Sequence, residues 1–252
     1  MLKTGLISEA LLLCWSKVEG IFYRIGYYVI NLPVRILRIF RHLVTFFSSL
    51  YKRPRNFLKW NGIGMWAIEL ICYFWDLLGL GEVYETLMDF IKFNTRPLRD
   101  SEKTLVQKVF GDLIKLHRIR VDEHAFIRSS HSKFAYVSFY TINCWGPMSD
   151  DMFLHELTHI WHYQKLGSVY IPRSLSAQFS EDGYNYGGLA NLVLAIRSGR
   201  GLDHFNLEQQ GDILADYHRI SQGRNPRWGN STDDDIWVYE HLLSELKEKA
   251  MA

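Results

Sequence analysis

The chain has too little cysteine for a disulfide framework. Its 252 residues contain three cysteines, Cys14, Cys72 and Cys144, scattered among apolar neighbours, which makes neither a paired set nor a cysteine metal cage. They read as buried, reduced thiols and favour a reducing compartment. A strong excess of one charge is also missing, since the formal net charge is +2. No nucleic-acid-binding motif accompanies the basic residues, so no nucleic acid partner is expected. The sequence has no internal repeat and no low-complexity segment. Residues 1–20 do not make a convincing secretory signal, because Glu9 interrupts the apolar stretch and no small-x-small site follows. Intrinsic disorder is excluded by 48% hydrophobic and 15% aromatic content. At this length the chain buries a substantial core and reads as one catalytic domain with an appendage.

A long apolar run free of charge is absent as well. Residues 60–80 are the one window of sufficient length to span a bilayer, and Glu69 and Asp76 sit inside it, seven residues apart. Two acids near the bilayer centre cost about 2.5 to 3.5 kcal/mol each, and together they match or exceed what the eight Leu, Ile and Phe of the window return at ~0.3 to 0.6 kcal/mol each. As an isolated span the segment is unfavourable or marginal; a helix in the membrane interface or in a small bundle fits better. If it spans, the preceding positive charges hold the amino end in the cytoplasm and send the catalytic part outside.

Charge is uneven along the chain. Residues 1–60 hold ten Lys and Arg against Glu9 and Glu19, a balance of +8 within the total of +2, so residues 61–252 carry −6. From Asn31 to Tyr51 the pattern is that of a helix opening with Pro33 in its first turn. Arg35, Arg38, His42, Thr45 and Ser49 recur on one side, while Ile36, Leu37, Phe40, Leu43, Val44, Phe47 and Leu50 fill the other. Such a helix suits an anionic membrane surface, reached through residues 1–60. A helix packed on its neighbours with a solvated basic face is the competing reading. The expected localisation is membrane-associated, on the cytoplasmic side, with a periplasmic or secreted catalytic part as the variant.

The chemistry is carried by His155-Glu156-Leu157-Thr158-His159. Positions i and i+4 share a helix face, so the two histidines can bind one metal, and Glu156 can reach a water beside it. Ser149, Asp150 and Asp151 precede this helix, Lys165 lies in its last turn and Gly167 beyond it, a consistent set of start and stop signals. His117–Val121 and Lys133–Ile142 read as strands by their alternation, the second a core strand or a sheet edge for an extended peptide. Residues 101–116 read as a helix, 180–188 as a loop, 189–196 as a short helix and 234–250 as a closing helix. Asn206 and Gln209 form a capping box that opens a helix through Tyr217. On it, Glu208 is a candidate third ligand, or else a solvated glutamate stabilised by the helix dipole, and Asp212, with Asp216 in reserve, is a candidate acceptor for a histidine ring N–H. His162 reads as a partly exposed helix residue. An oxyanion donor is sought among Tyr184, Tyr186, Tyr217 and His218, and His117, His124, His131, His204 and His241 receive no role.

HELTH at 155–159 and EQQGD at 208–212 are similar to the gluzincin pattern. The span from Arg96 to Tyr217 resembles more narrowly the zincin-like domains found with bacterial Rhs and Vgr proteins, and more distantly the conserved domain of extracellular contractile injection system loci. RPL at 96–98, VFGD at 109–112, HRIRV at 117–121, HELTHIWHYQ at 155–164 and FNLEQQGDILADY at 205–217 carry the resemblance. It covers about half the chain and implies a zincin-like fold; the whole is expected to be α+β and mainly helical, a zincin-like domain over 96–252 with a small sheet, preceded by a basic helical region over 1–95 that lies outside the resemblance. The resemblance also implies Zn2+ at His155, His159 and Glu208, with Glu156 as general base. The expected function is that of a zinc metallopeptidase acting on a protein or peptide, an endopeptidase rather than an exopeptidase. The alternatives are a non-catalytic zinc-bearing module of a secretion or injection system and a proteolytic effector.

Overall fold

The computed structural model describes residues 2–52, 60–92, 95–125 and 135–251. Lys133 and Phe134 of the second expected strand, and the basic residues Arg53, Arg55 and Lys59, lie outside them. The chain divides into two compact units, Met1–Phe93 and Asn94–Ala252. The architecture is α+β and mainly helical, with one small sheet.

The described residues of the first unit form three helices: α1 (Leu2–Lys52), α2 (Trp60–Leu77) and α3 (Leu80–Ile91). The expected helix start at Asn31 is not there, because α1 runs through with Pro33 inside it. An internal proline forfeits one backbone hydrogen bond and costs about 3 kcal/mol. Side chains on either side of it hold the helix against α2 and α3: Lys17 donates to the Asp89 carbonyl, Tyr28 Oη donates to the Leu77 carbonyl (2.8 Å), and Arg35 grips Glu82. The expectation of a solvated basic face is corrected by the same contacts. Arg35 and His42 are each only 6% exposed, whereas Phe40 is 62% and Phe47 69% exposed. The polar side of α1 faces inward and the apolar side outward. Among the described residues no single helix is long and apolar enough to cross a membrane; Gly62–Leu77 and Leu80–Ile91, bent by 64°, together have the length and composition.

The second unit begins with β1 (Thr95–Arg96), followed by α4 (Asp100–Phe110), β2 (Arg120–Asp122), β3 (Tyr136–Ser138) and β4 (Thr141–Asn143). The sheet order is β1-β2-β4-β3, with β2 and β4 parallel and the other pairs antiparallel. Arg96 joins its start: the guanidinium bonds Glu102 of α4 twice at 2.8 Å and Glu123, just past β2, at 2.7 Å. The single strand expected over 133–142 is in fact a hairpin. Ser138 pairs with Thr141, and Phe139 takes the left-handed conformation, φ 58°. That conformation is unfavourable for a bulky residue, and burial of the Phe139 ring edge-on to Tyr163, 5.1 Å between centroids, offsets it. Without Asn-Gly or Asp-Gly at the turn, the alternation reads as continuous.

The remaining helices are α5 (Asp150–Leu166), α6 (Tyr170–Gln178), α7 (Gly188–Arg197), α8 (Leu207–Ser221) and α9 (Ile236–Met251). Helix α6 has no counterpart among the sequence expectations. Helix α5 is buried nearly all round, with Leu154, Leu157 and Ile160 fully inaccessible, as befits the central helix of a domain. It runs antiparallel to α8: Asp151 meets Arg219 at 2.5 Å at one end, and His159 meets Glu208 at the other. Cys72 and Cys144 are buried and free.

Candidate metal centre

The site lies where α5 crosses α8. Gly167 at φ 76° ends α5 after Lys165, and the box at the head of α8 closes as expected. The Asn206 side chain accepts from the Gln209 N–H at 2.9 Å, and the Gln209 side chain accepts from the Asn206 N–H at 3.0 Å. These termini fix the rotation of both helices, so that His155 and His159 face Glu208 and Asp212.

His155 Nε2, His159 Nε2 and Glu208 Oε2 form a triangle with edges of 3.3, 3.3 and 3.5 Å. Ligands at about 2.0 to 2.1 Å on a tetrahedral ion stand roughly 3.3 to 3.4 Å apart. The three atoms therefore fit one face of such a tetrahedron, and the cluster can hold a metal ion. All three residues are buried, at 9%, 7% and 4% exposure. Burial disfavours charge on His155, yet the Asp212 and Glu208 carboxylates raise its pKa to about 10. Burial likewise opposes ionisation of Glu208, but hydrogen bonds from both histidines lower its pKa to about 2. The cluster thus favours positive charge at its centre.

Each histidine is oriented from behind. His155 Nδ1–H donates to Asp212 Oδ1 at 2.8 Å, so that when the ring gives up its second proton to a metal the Nε2 lone pair is the one directed at the triangle. Asp212 is held in turn by Trp228 Nε1–H at 2.5 Å and by Arg227 at 3.3 Å. Asp216 is committed elsewhere, accepting from Tyr186 Oη and from the backbone N–H groups of Arg227 and Trp228. The second relay corrects the reading of His162, which is 1% exposed rather than partly exposed. Gln210 Nε2 donates to the Phe205 carbonyl, so its Oε1 faces His162 Nε2 at 2.9 Å and that nitrogen donates. His162 Nδ1 is then an acceptor, 3.4 Å from His159 Nδ1, with Ser174 Oγ sharing the site at 3.3 Å. Burial, reinforced by His159, lowers the His162 pKa to about 3 and keeps the ring neutral. His159 therefore carries its proton on Nδ1 and presents Nε2 to the triangle.

Gly211 lets the two helices meet. A Cβ there falls 2.7 Å from His155 Cε1 and Nδ1. Its signal in the sequence is a glycine inside a helix, which costs about 1 kcal/mol relative to alanine and so implies a packing reason. Gly211→Ala is expected to reverse the ordinary effect of that substitution: the overpacked ring costs roughly 1 to 3 kcal/mol. A lower Tm with weaker metal retention checks it, and a raised Tm would contradict the contact.

A cleft of about 230 Å³ opens onto the triangle, lined by Tyr136 and Val137 of β3, Ser174, Tyr184, Glu156 and the ligand residues. Burial raises the Glu156 pKa, and the neighbouring His155 and His159 work against that shift. Among the described residues no side chain hydrogen-bonds its carboxylate. Of the four oxyanion candidates, Tyr184 lines this cleft, with its ring centroid 5.8 Å from that of His155. Tyr186 is occupied with Asp216 and Tyr239, and His218 faces Asp150 at 3.7 Å. Tyr217 is buried and does not line the cleft.

The chain is 28% identical over 138 residues to the type VI secretion system spike protein VgrG2b of Pseudomonas aeruginosa, a match covering 48% of this chain and 13% of that protein. No family model and no solved structure matches the chain.

Proposed function

We propose that the second unit is a zinc-dependent peptidase, and the observation that carries this reading is a three-donor triangle on a cleft also lined by Glu156, a glutamate to which no described side chain hydrogen-bonds. Two histidines and one carboxylate suit Zn2+ among the common divalent ions. When bound, zinc supplies a Lewis acid that polarises a carbonyl and acidifies a water. His155, His159 and Glu208 hold it, while Asp212 and His162 keep both imidazoles in the tautomer that leaves Nε2 free. Glu156 takes a proton from the attacking water as its oxygen bonds to the peptide carbonyl carbon, then delivers that proton to the amine as the C–N bond breaks. Tyr184 stands at the cleft as the donor for the developing oxyanion.

The similarity to a spike protein supports a place beside a bacterial secretion assembly, with a protein or peptide as the substrate. A membrane-associated position, with the first unit as the anchor and the cytoplasmic side favoured, completes the reading. The full chain loaded with zinc is expected to cleave members of a denatured-protein or peptide library, to stop with a chelator and to recover with added zinc. Absence of turnover from a fully loaded chain would instead favour a non-catalytic metal-bearing module.

A further inference from the structure

The first unit has its polarity inverted. Lys17, Arg24, Tyr28, Arg35 and His42 recur at four- and seven-residue steps, which on an α-helix keeps them in nearly one line. Every one of them turns inward. Arg24 pairs with Asp89 at 2.5 Å and Arg35 holds Glu82 with two nitrogens. His42 Nε2–H donates to the Trp66 carbonyl at 2.9 Å, and its Nδ1 lies 3.6 Å from Glu69. Glu69 belongs to α2, and Glu82 and Asp89 to α3, so three acids of these two helices each meet a basic side chain of α1, and Arg35 also donates to the Asp76 carbonyl.

The opposite surface is apolar. On α1, Phe22 is 71% and Ile30 76% exposed, and Val29, Ile36, Phe40 and Phe47 are exposed with them. With Ile25, Val34, Leu43 and Leu50, which are exposed too, these positions wind round more than half of the helix at 100° per residue. Ile71, Phe74 and Leu78 continue the surface after α1, and Val83, Leu87 and Phe90 carry it along α3. Water-soluble monomers rarely expose apolar surface of this continuity.

We infer that the first unit embeds in the hydrocarbon of a lipid bilayer as an inside-out helical unit, its exposed apolar residues in contact with acyl chains and its ion pairs enclosed. The occupant is a bilayer rather than a second copy of the chain, because apolar residues face outward on each of the three described helices and around more than half of α1. One partner surface covers one side, whereas lipid covers every side. Enclosed pairing is also how ionisable groups are tolerated in a membrane. Attachment through the apolar face differs from adsorption of basic residues on anionic headgroups, which salt disrupts. The inference is independent of the peptidase reading.

Flotation of the full chain with neutral phosphatidylcholine vesicles tests it. The chain is expected to float with the vesicles, to stay with them in about 1 M NaCl, where the Debye length is ~3 Å, and to resist alkaline carbonate. Ile30→Asp combined with Phe40→Asp changes two exposed positions that no core contact uses, and is expected to reduce flotation about tenfold or more. Glu156→Gln should float as the unsubstituted chain does, so loss of hydrolysis and loss of embedding are separable. Binding restricted to anionic vesicles and lost in salt would overturn the inference, as would a discrete soluble oligomer that ignores vesicles.

Discussion

Glu156→Gln is expected to abolish hydrolysis and leave the metal in place. The amide keeps the size and burial of the side chain but cannot accept a proton from water, and loss of a general base costs about 10²- to 10⁴-fold in kcat, equivalent to ~3 to 5 kcal/mol of barrier. Glu156 is outside the donor triangle formed by His155, His159 and Glu208, so metal stoichiometry should match the unsubstituted chain. Stability should hold or rise slightly, because burial raises the Glu156 pKa, which means the fold disfavours its charged form, and glutamine is neutral. The variant needs two measurements, kcat on a cleavable peptide and metal content by mass spectrometry. Full activity removes Glu156 from the mechanism; loss of metal makes it part of the binding site instead.

His155→Ala is expected to lose the metal and much of the local stability together. The ring provides one corner of the triangle and is the partner of both Asp212 and Glu208, at 2.8 and 3.3 Å. Its removal strands two buried carboxylates, and breaking a buried pair by deleting one member costs about 3 to 5 kcal/mol. In a chain of this size that lowers Tm by roughly 10 °C. Added zinc should raise the Tm of the unsubstituted chain and of Glu156→Gln, but not of His155→Ala. An unchanged metal stoichiometry in His155→Ala would end the ligand assignment. The contrast between the two variants separates the residue that holds the metal from the one that uses it.

Much of the centre was legible because its signals are local. The i, i+4 histidines, the two ends of α5 and the Asn206–Gln209 box depend on spacing alone, and the bond from His155 to Asp212 follows from one helix face meeting another. What escaped depends on tertiary contact. His162 is polar and three residues past His159, and only the Gln210 side chain from α8 makes its burial tolerable. Trp228 and Arg227 reach Asp212 from a segment with no motif. The hairpin at Phe139 escaped because an aromatic residue in the left-handed region is held there by packing. In α1 the two faces were read correctly and their direction was not, since periodicity separates faces without saying which one is buried. A sharper cue lay in the seven-residue recurrence of Arg35 and His42, together with Glu69 and Glu82 in the helices that follow.

The peptidase proposal requires one metal ion between His155, His159 and Glu208, with a coordination position open to the cleft. Anomalous diffraction at the zinc edge, from crystals of the zinc-loaded full chain, measures this directly. A single strong peak is expected within bonding distance of His155 Nε2, His159 Nε2 and Glu208 Oε2, with a water as the fourth neighbour on the side of Glu156. No peak at that point, or a fourth protein ligand closing the ion off from the cleft, would contradict it.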